Sequence, residues 1–167
     1  MYGGWTAPYF DDEAGKIMAK QMSGRSDLLL GRKTYEIFAS YWPKHESEWP
    51  GINDVTKYAV SNTLTIPEWE HTVVLKNTDD IAALKKSDGP DLQVHGSGEL
   101  IQSLMKHDLV DEFWLKIFPV TIGQGKKLFA EGTMPQAFKL IQNGITPSGI
   151  IIASYKRDGD VKTGSFL

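Results

Sequence analysis

The 167 residues carry 41% hydrophobic and 23% charged side chains with a formal net charge of -3, a globular mixture of one-domain size. So slight an acidic balance gives no reason to expect the clustered basic surface of a nucleic-acid binder, and nucleic acid is not an expected partner, although a single small anion can still be bound locally. With no cysteine, disulfides, thiolate nucleophiles and thiolate zinc sites are excluded as well.

The opening MYGGWTAPYF reads as loop. It lacks the basic head and apolar core of a signal peptide, and no later run approaches the roughly 18 apolar residues of a membrane span, so a cytoplasmic chain with no membrane partner is expected. One domain over residues 1–167 is expected, because no linker, fixed-period repeat or low-complexity tract divides it. The stretch DDEAGKIMAKQMSG puts Ala14, Ile17, Met18, Gln21 and Met22 on one helical face, with Asp11 or Asp12 as cap and Gly24 as terminator. DLLLG (27–31) is a short continuous apolar run suited to a central strand, followed by a tight turn and a helix capped by Thr34 and ended by Pro43.

KYAVS (57–61) and TVVLK (72–76) are the next predicted strands, and TDDIAALKK (78–86) is a helix with a Thr cap, acids first and lysines last. DLQVHGSGELIQSLMKHD repeats the earlier unit: a strand to His95, a glycine turn, then a helix burying Leu100, Ile101, Leu104 and Met105. VDEFWLKIFPV (110–120) alternates with period two and predicts a strand covered on both faces. AFKLIQ and GIIIASYKR, separated by Asn143-Gly144 and Pro147-Ser148-Gly149, predict a terminal antiparallel pair. The expected class is α/β, a mixed and mostly parallel sheet flanked by helices.

Three polar stretches end strands. In GRKT, a turn at Gly31 would aim helix-start N–H groups at an anion, with Arg32 and Lys33 adding charge beside Thr34; the alternative is a pair of solvated loop cations. In HGSG, Gly96 and Gly98 would let a ligand approach the backbone while Ser97 donates a hydrogen bond, although neither the Walker A nor the full dinucleotide spacing is present. Ser61, Asn62 and Thr63 either bind a ribose phosphate or make a turn. No acid–base constellation stands out. His95 alone of the four histidines lies where a strand meets the suspected crevice, Asp11 and Asp12 offer carboxylates that capping also explains, and no metal motif occurs. Lys126 and Lys127 are a candidate second basic site or a solvated turn.

LLLGRKTYEIFASYW, YAVSNTL, QVHGSGELIQSLMKHDLVDEFWLKIFPVTIGQGKKLFAEG and SGIIIASYKR, in this order, resemble the dihydrofolate reductase-like superfamily. The branch is that of the C-terminal reductase domain of bifunctional riboflavin-biosynthesis enzymes. The resemblance implies NADPH as cofactor and hydride transfer to a small heterocyclic substrate, pteridine-like or a ribosylaminopyrimidine. It implies cofactor-binding roles for Gly31, Arg32, Lys33, Thr34, Ser61, Asn62, Thr63, Gly96, Ser97 and Gly98, with Ser61–Thr63 addressing the adenosine 2′-phosphate. Asp11, Asp12 and His95 are the catalytic candidates. Members of the family begin with an apolar strand that this sequence does not show ahead of GGWTAPYFDDEAG, which leaves truncation, an internal start or completion by a partner's strand open. A homodimer is expected because the strand with Phe113, Trp114 and Phe118 carries more aromatic surface than one sheet face requires and related domains pair. The alternative function is a non-catalytic nucleotide-binding or interaction protein that retains the fold.

Overall fold

The computed structural model of the chain describes residues 4–165. They gather into two compact units: Gly24–His107, and residues 4–23 together with 108–165. The α/β class holds, with parallel strands in the first unit and the antiparallel terminal pair in the second. No helix among the described residues is long and apolar enough to cross a membrane.

In the contiguous unit, β1 (Ser26–Gly31), β2 (Lys57–Val60), β3 (Thr72–Leu75) and β4 (Asp91–Gln93) are all parallel, in the order β3-β2-β1-β4. The inner position of β1 explains its composition: Asp27, Leu28, Leu29 and Leu30 are all buried, as in a strand covered on both faces. Asp27 is accommodated because its Oδ1 accepts the Thr56 N–H at 2.9 Å. α2 (Arg32–Tyr41) buries Tyr35 in a cluster with Leu28, Leu30, Ile52, Ala59 and Trp69. The Tyr35 hydroxyl accepts the Trp69 N–H at 3.2 Å, so its polar tip is satisfied. α3 (Thr78–Lys86) buries Ile81, and α4 (Gly98–Lys106) buries Leu100, Leu104 and Met105.

Several element ends differ from expectation. β1 runs into α2 with no intervening turn; Gly31 is the N-cap at φ -68°, an ordinary backbone angle, and Thr34 falls inside the first turn instead of capping it. α3 starts with a capping box one residue earlier than predicted: the Asn77 side chain accepts the Asp80 N–H at 2.9 Å, and the Asp80 carboxylate accepts the Asn77 N–H at 3.3 Å. β4 stops at Gln93, short of His95, because the chain turns left-handed at Gly96 (φ 56°) and Ser97 (φ 55°).

The second unit contains α1 (Asp12–Met22) and the strands β5 (Glu112–Ile117), β6 (Phe138–Ile145) and β7 (Ile151–Arg157), antiparallel in the order β5-β7-β6. Of the two possible caps, Asp11 is used: Oδ1 accepts the Ala14 N–H at 2.8 Å while Oδ2 accepts the Ser148 N–H at 2.9 Å, so one carboxylate fastens α1 to the β6–β7 hairpin. The helix closes on Ser23, not on Gly24. Asn143 and Gly144 are not a turn. They pair with Ala153 and Ile152 inside β6, and the hairpin closes at Pro147-Ser148-Gly149, where the fixed φ of proline and a Gly149 φ of 85° make the reversal.

β5 is shorter than predicted, and its second face is covered only in part, at the end where Phe113 is buried against Phe129 and Phe138. α1 packs Ala14 against Ile150 and Ile152, which leaves Ile117 (53% exposed) and Ile151 (45%) uncovered on the other side. The opening aromatics pack here too, Trp5 edge-on to Phe118 at 5.2 Å and Tyr9 at 6.2 Å between centroids. Seven strands form two sheets instead of one because β4 opposite β1, and β5 opposite β7, have no strand partner among the described residues.

Lys57 is the least expected member of the core. Fully buried at the start of β2, it donates to the Asn53 carbonyl at 2.8 Å and lies 4.6 Å from the centre of the Trp69 ring. Burial holds its ammonium down at about 8, against an ordinary 10.5, with Asp54, Glu70 and Asp27 opposing the shift. The unfolded chain therefore keeps this proton to higher pH than the folded one, and stability should rise between about pH 8 and 10.5, by on the order of 3 kcal/mol from this group. Urea melts across that range should show the rise, and Lys57→Met should flatten it.

Candidate functional site

Parallel strands open their C-terminal ends on one edge of a sheet, and such edges bind ligands in α/β proteins. In Gly24–His107 that edge carries the β1–α2 junction, the residues following β2 and β3, and the β4–α4 connection. All ten residues expected at the cofactor belong to these connections.

Two of the connections are tied together. The Ser97 hydroxyl accepts the Gly31 N–H at 3.0 Å and donates to the His95 carbonyl at 3.0 Å, while the Ser97 N–H donates to Thr34 Oγ1 at 3.2 Å. Ser97 is left-handed without being glycine, a conformation that costs roughly 1–2 kcal/mol, and these bonds hold it there. The three glycines play different parts. A Cβ on Gly96 would stand 3.3 Å from Thr34 Oγ1 at a left-handed φ, so nothing larger fits comfortably. A Cβ on Gly31 would make ordinary contacts with Ser97 and Leu100, and one on Gly98 would meet nothing within 4 Å, leaving space above the start of α4.

The two α-helices that start at this edge differ from the other two α-helices among the described residues. α1 and α3 have side-chain caps, Asp11 and Asn77; α2 and α4 have none, so their first-turn N–H groups and positive ends face the edge unneutralised by a cap. Arg32, in the first turn of α2, is exposed and donates to Glu36 at 2.7 Å; an exposed pair of this spacing is worth about 0.3–0.5 kcal/mol, so the guanidinium is readily given up to a stronger anion. Lys33 is exposed beside it.

After β2, Ser61 is buried and its hydroxyl accepts the N–H groups of Thr63 (3.1 Å) and Leu64 (2.9 Å), which makes it the former of a turn that presents Asn62 and Thr63 to solvent. Over this turn lies a residue that sequence reasoning passed over as a strand end. Lys76 donates from Nζ to the Ser61 carbonyl at 3.2 Å and the Leu64 carbonyl at 3.4 Å, bringing a positive charge to the Ser61–Leu64 turn. Its only sequence signal was a lysine directly after a parallel strand.

Two of the three catalytic candidates, His95 and Asp11, are otherwise engaged. The His95 ring packs 5.1 Å from Trp49 and 6.2 Å from Phe38 between centroids, with Nε2 at 3.2 Å from Gln93 Oε1. Hydrogen bonding from the Ala14 N–H, helped by Ser148 and Thr146 against burial, holds Asp11 down at about 2, so it is a carboxylate at neutral pH and not a proton donor. Asp12 is exposed in the first turn of α1. Asp11 and Asp12 lie in the second unit and His95 in the first.

Residues 3–152 match the family described as the RibD C-terminal domain. Among curated proteins, YyaP of Bacillus subtilis strain 168 is 30% identical over 139 residues, covering 79% of this chain and 74% of YyaP. YwjB of the same organism is 30% identical over 115 residues, covering 68% of this chain and 63% of YwjB. Among solved structures, the "Putative riboflavin biosynthesis protein" of Shewanella sp. PV-4 superposes with a TM-score of 0.65 at 27% identity, over 89% of this chain and 80% of that one. A pyrimidine reductase-like protein of Corynebacterium diphtheriae shares the fold, with a TM-score of 0.60 at 14% identity over 92% and 84% of the two chains.

Ser97→Ala leaves the Gly31 N–H without its acceptor and should destabilise the chain by about 1–3 kcal/mol in urea unfolding. Ser97→Gly loses the same bonds but relieves the left-handed backbone, and should recover about 1 kcal/mol of that loss. Equal stability of the two variants would mean that Ser97 is unstrained.

Proposed function

The chain belongs to the RibD C-terminal domain family, and on that footing we propose that it is a reductase taking hydride from NADPH to a pteridine-like or ribosylaminopyrimidine substrate. The observation that carries this reading is the pair of uncapped helix starts, α2 and α4, joined through Thr34 and Ser97 at one edge of a parallel sheet. The residues there suit a dinucleotide. First-turn N–H groups and the positive helix ends receive a diphosphate, Arg32 and Lys33 add charge, and the open space above Gly98 admits a close approach.

The bound nicotinamide supplies the hydride, and the work of this chain is to orient that ring and to keep water from it. At the other end, Asn62 and Thr63 offer neutral hydrogen bonds to the adenosine 2′-phosphate while Lys76 provides the charge those residues lack. A second reading, a nucleotide-binding protein without turnover, draws support from His95 and Asp11, whose polar atoms already have partners. Loss of the reduced-nicotinamide absorbance with a dihydropteridine or with 5-amino-6-(5-phosphoribosylamino)uracil supports the reductase. Binding without loss supports the second reading, and no NADPH binding by the folded chain sinks both.

Pairing of two copies is part of the same proposal. Ile117, Ile151 and Ile145 are directly opposite one another across β5, β7 and β6, and each is at least 45% exposed, an uncharged row suited to a like face on a second copy. Light scattering should give a dimer mass, and Ile151→Lys should reduce it to a monomer.

Lys76→Met should weaken NADPH about tenfold and leave NADH unchanged, since only NADPH carries the extra phosphate. Arg32→Ala should weaken both cofactors alike, its place being at the shared diphosphate. Fluorescence titrations of both variants with both cofactors check the assignment, and the reverse pattern would exchange the two roles.

A further inference from the structure

Two lysines among the described residues have their ammonium groups held low by burial, Lys57 fully buried and Lys116 partly, and their surroundings differ. Lys57 has the Asn53 carbonyl, the Trp69 ring and the field of three carboxylates. The Lys116 side chain on β5 has no hydrogen bond or ion pair among the described residues, and burial by itself holds its ammonium below the ordinary range.

Lys116 stands across from Ile152 of β7 at a cavity of about 170 Å³. Ala14, Met18, Phe118, Ile150 and Ile152 supply apolar wall, Thr6 is the other polar member, and no carboxylate lines the space. The charged groups on the elements that meet there are engaged elsewhere or solvated. Asp11 caps α1, Glu13 pairs with Lys16 at 3.7 Å, Glu112 pairs with Lys156 at 3.8 Å, and Asp12 is exposed.

An ammonium without a counter-charge in an apolar cavity is a costly arrangement, relieved by whatever brings both an anion and an apolar body. We propose that this cavity is a binding site for a small organic monoanion, a carboxylate on a compact apolar body, held by Lys116 Nζ with the body against Met18, Ile150 and Ile152. The size follows from the volume, since an engineered cavity of roughly 150 Å³ accepts benzene. The selectivity follows from charge: a carboxylate accepts charge-assisted hydrogen bonds from Nζ and cancels its charge, which an alcohol of the same shape cannot do. The site shares no residue with the proposed nucleotide edge, so the two stand or fall separately.

Benzoate and benzyl alcohol are the probes, titrated into the full chain with amide shifts of Lys116, Ile150 and Ile152 as readout. Saturable benzoate binding is expected, with benzyl alcohol at least about tenfold weaker. Lys116→Met keeps the stem and removes the charge, and should bring benzoate down to the affinity of the alcohol. Met18→Trp, which fills the cavity and keeps the lysine, should abolish benzoate binding and serves where Lys116→Met fails to fold. Equal affinities for the two probes, no saturation by benzoate, an unchanged dissociation constant in Lys116→Met, or survival of binding in Met18→Trp would each overturn the proposal.

Discussion

One serine holds together the C-terminal edge of the parallel sheet, the edge proposed to bind the nucleotide. The Ser97 hydroxyl and N–H reach Gly31 and Thr34, 66 and 63 residues earlier, and so join the starts of α2 and α4 without capping either. A serine placed as an ordinary cap would spend its oxygen on its own helix, leaving one set of donors fewer for a ligand and no bond between the two connections. Here the left-handed strain at Ser97 is met by tertiary bonds, and the donors of both first turns stay available. The edge is thus already organised for the anion proposed to bind there.

Charge is distributed around that edge in a way that separates holding from attraction. Arg32 lies in a weak exposed pair with Glu36, whereas Lys76 is anchored on two carbonyls of the turn that Ser61 forms. Carbonyl bonds do not neutralise an ammonium, so Lys76 keeps its charge while losing its freedom. An anion meeting it costs little further side-chain entropy. A guanidinium bound to a carboxylate must instead exchange one partner for another.

Elements whose identity depends on local periodicity were legible in the sequence: the buried run of β1, the apolar faces of α1 and α4, the reversal at Pro147-Ser148-Gly149. Ends that depend on competition between neighbouring residues were not. Asn77 outcompetes Thr78 because Asp80 reciprocates its bond, and Thr34 is no cap because its oxygen serves Ser97. Asn143-Gly144 carries a strong turn signal, yet pairing with β7 through Ala153 and Ile152 prevails over it. At the candidate site, the residue types suggested phosphate chemistry, but the Thr34–Ser97 bond spans too much sequence to leave a spacing. Lys76 was invisible as a partner of Ser61 until β2 and β3 were known to lie side by side.

The Asp11–Ser148 bond has a consequence for the order in which this chain comes off the ribosome. Gly24–His107 is one uninterrupted segment and has all its strand partners once residue 107 has emerged. The helix at Asp12–Met22 is made earlier, but its clasp and the strand that buries Ala14 lie some 137 residues downstream. This helix must therefore wait, its apolar face uncovered, while the later-made Gly24–His107 unit folds. Any holdase that attends this protein during synthesis has its natural substrate in residues 12–22, and its release point at the arrival of β7.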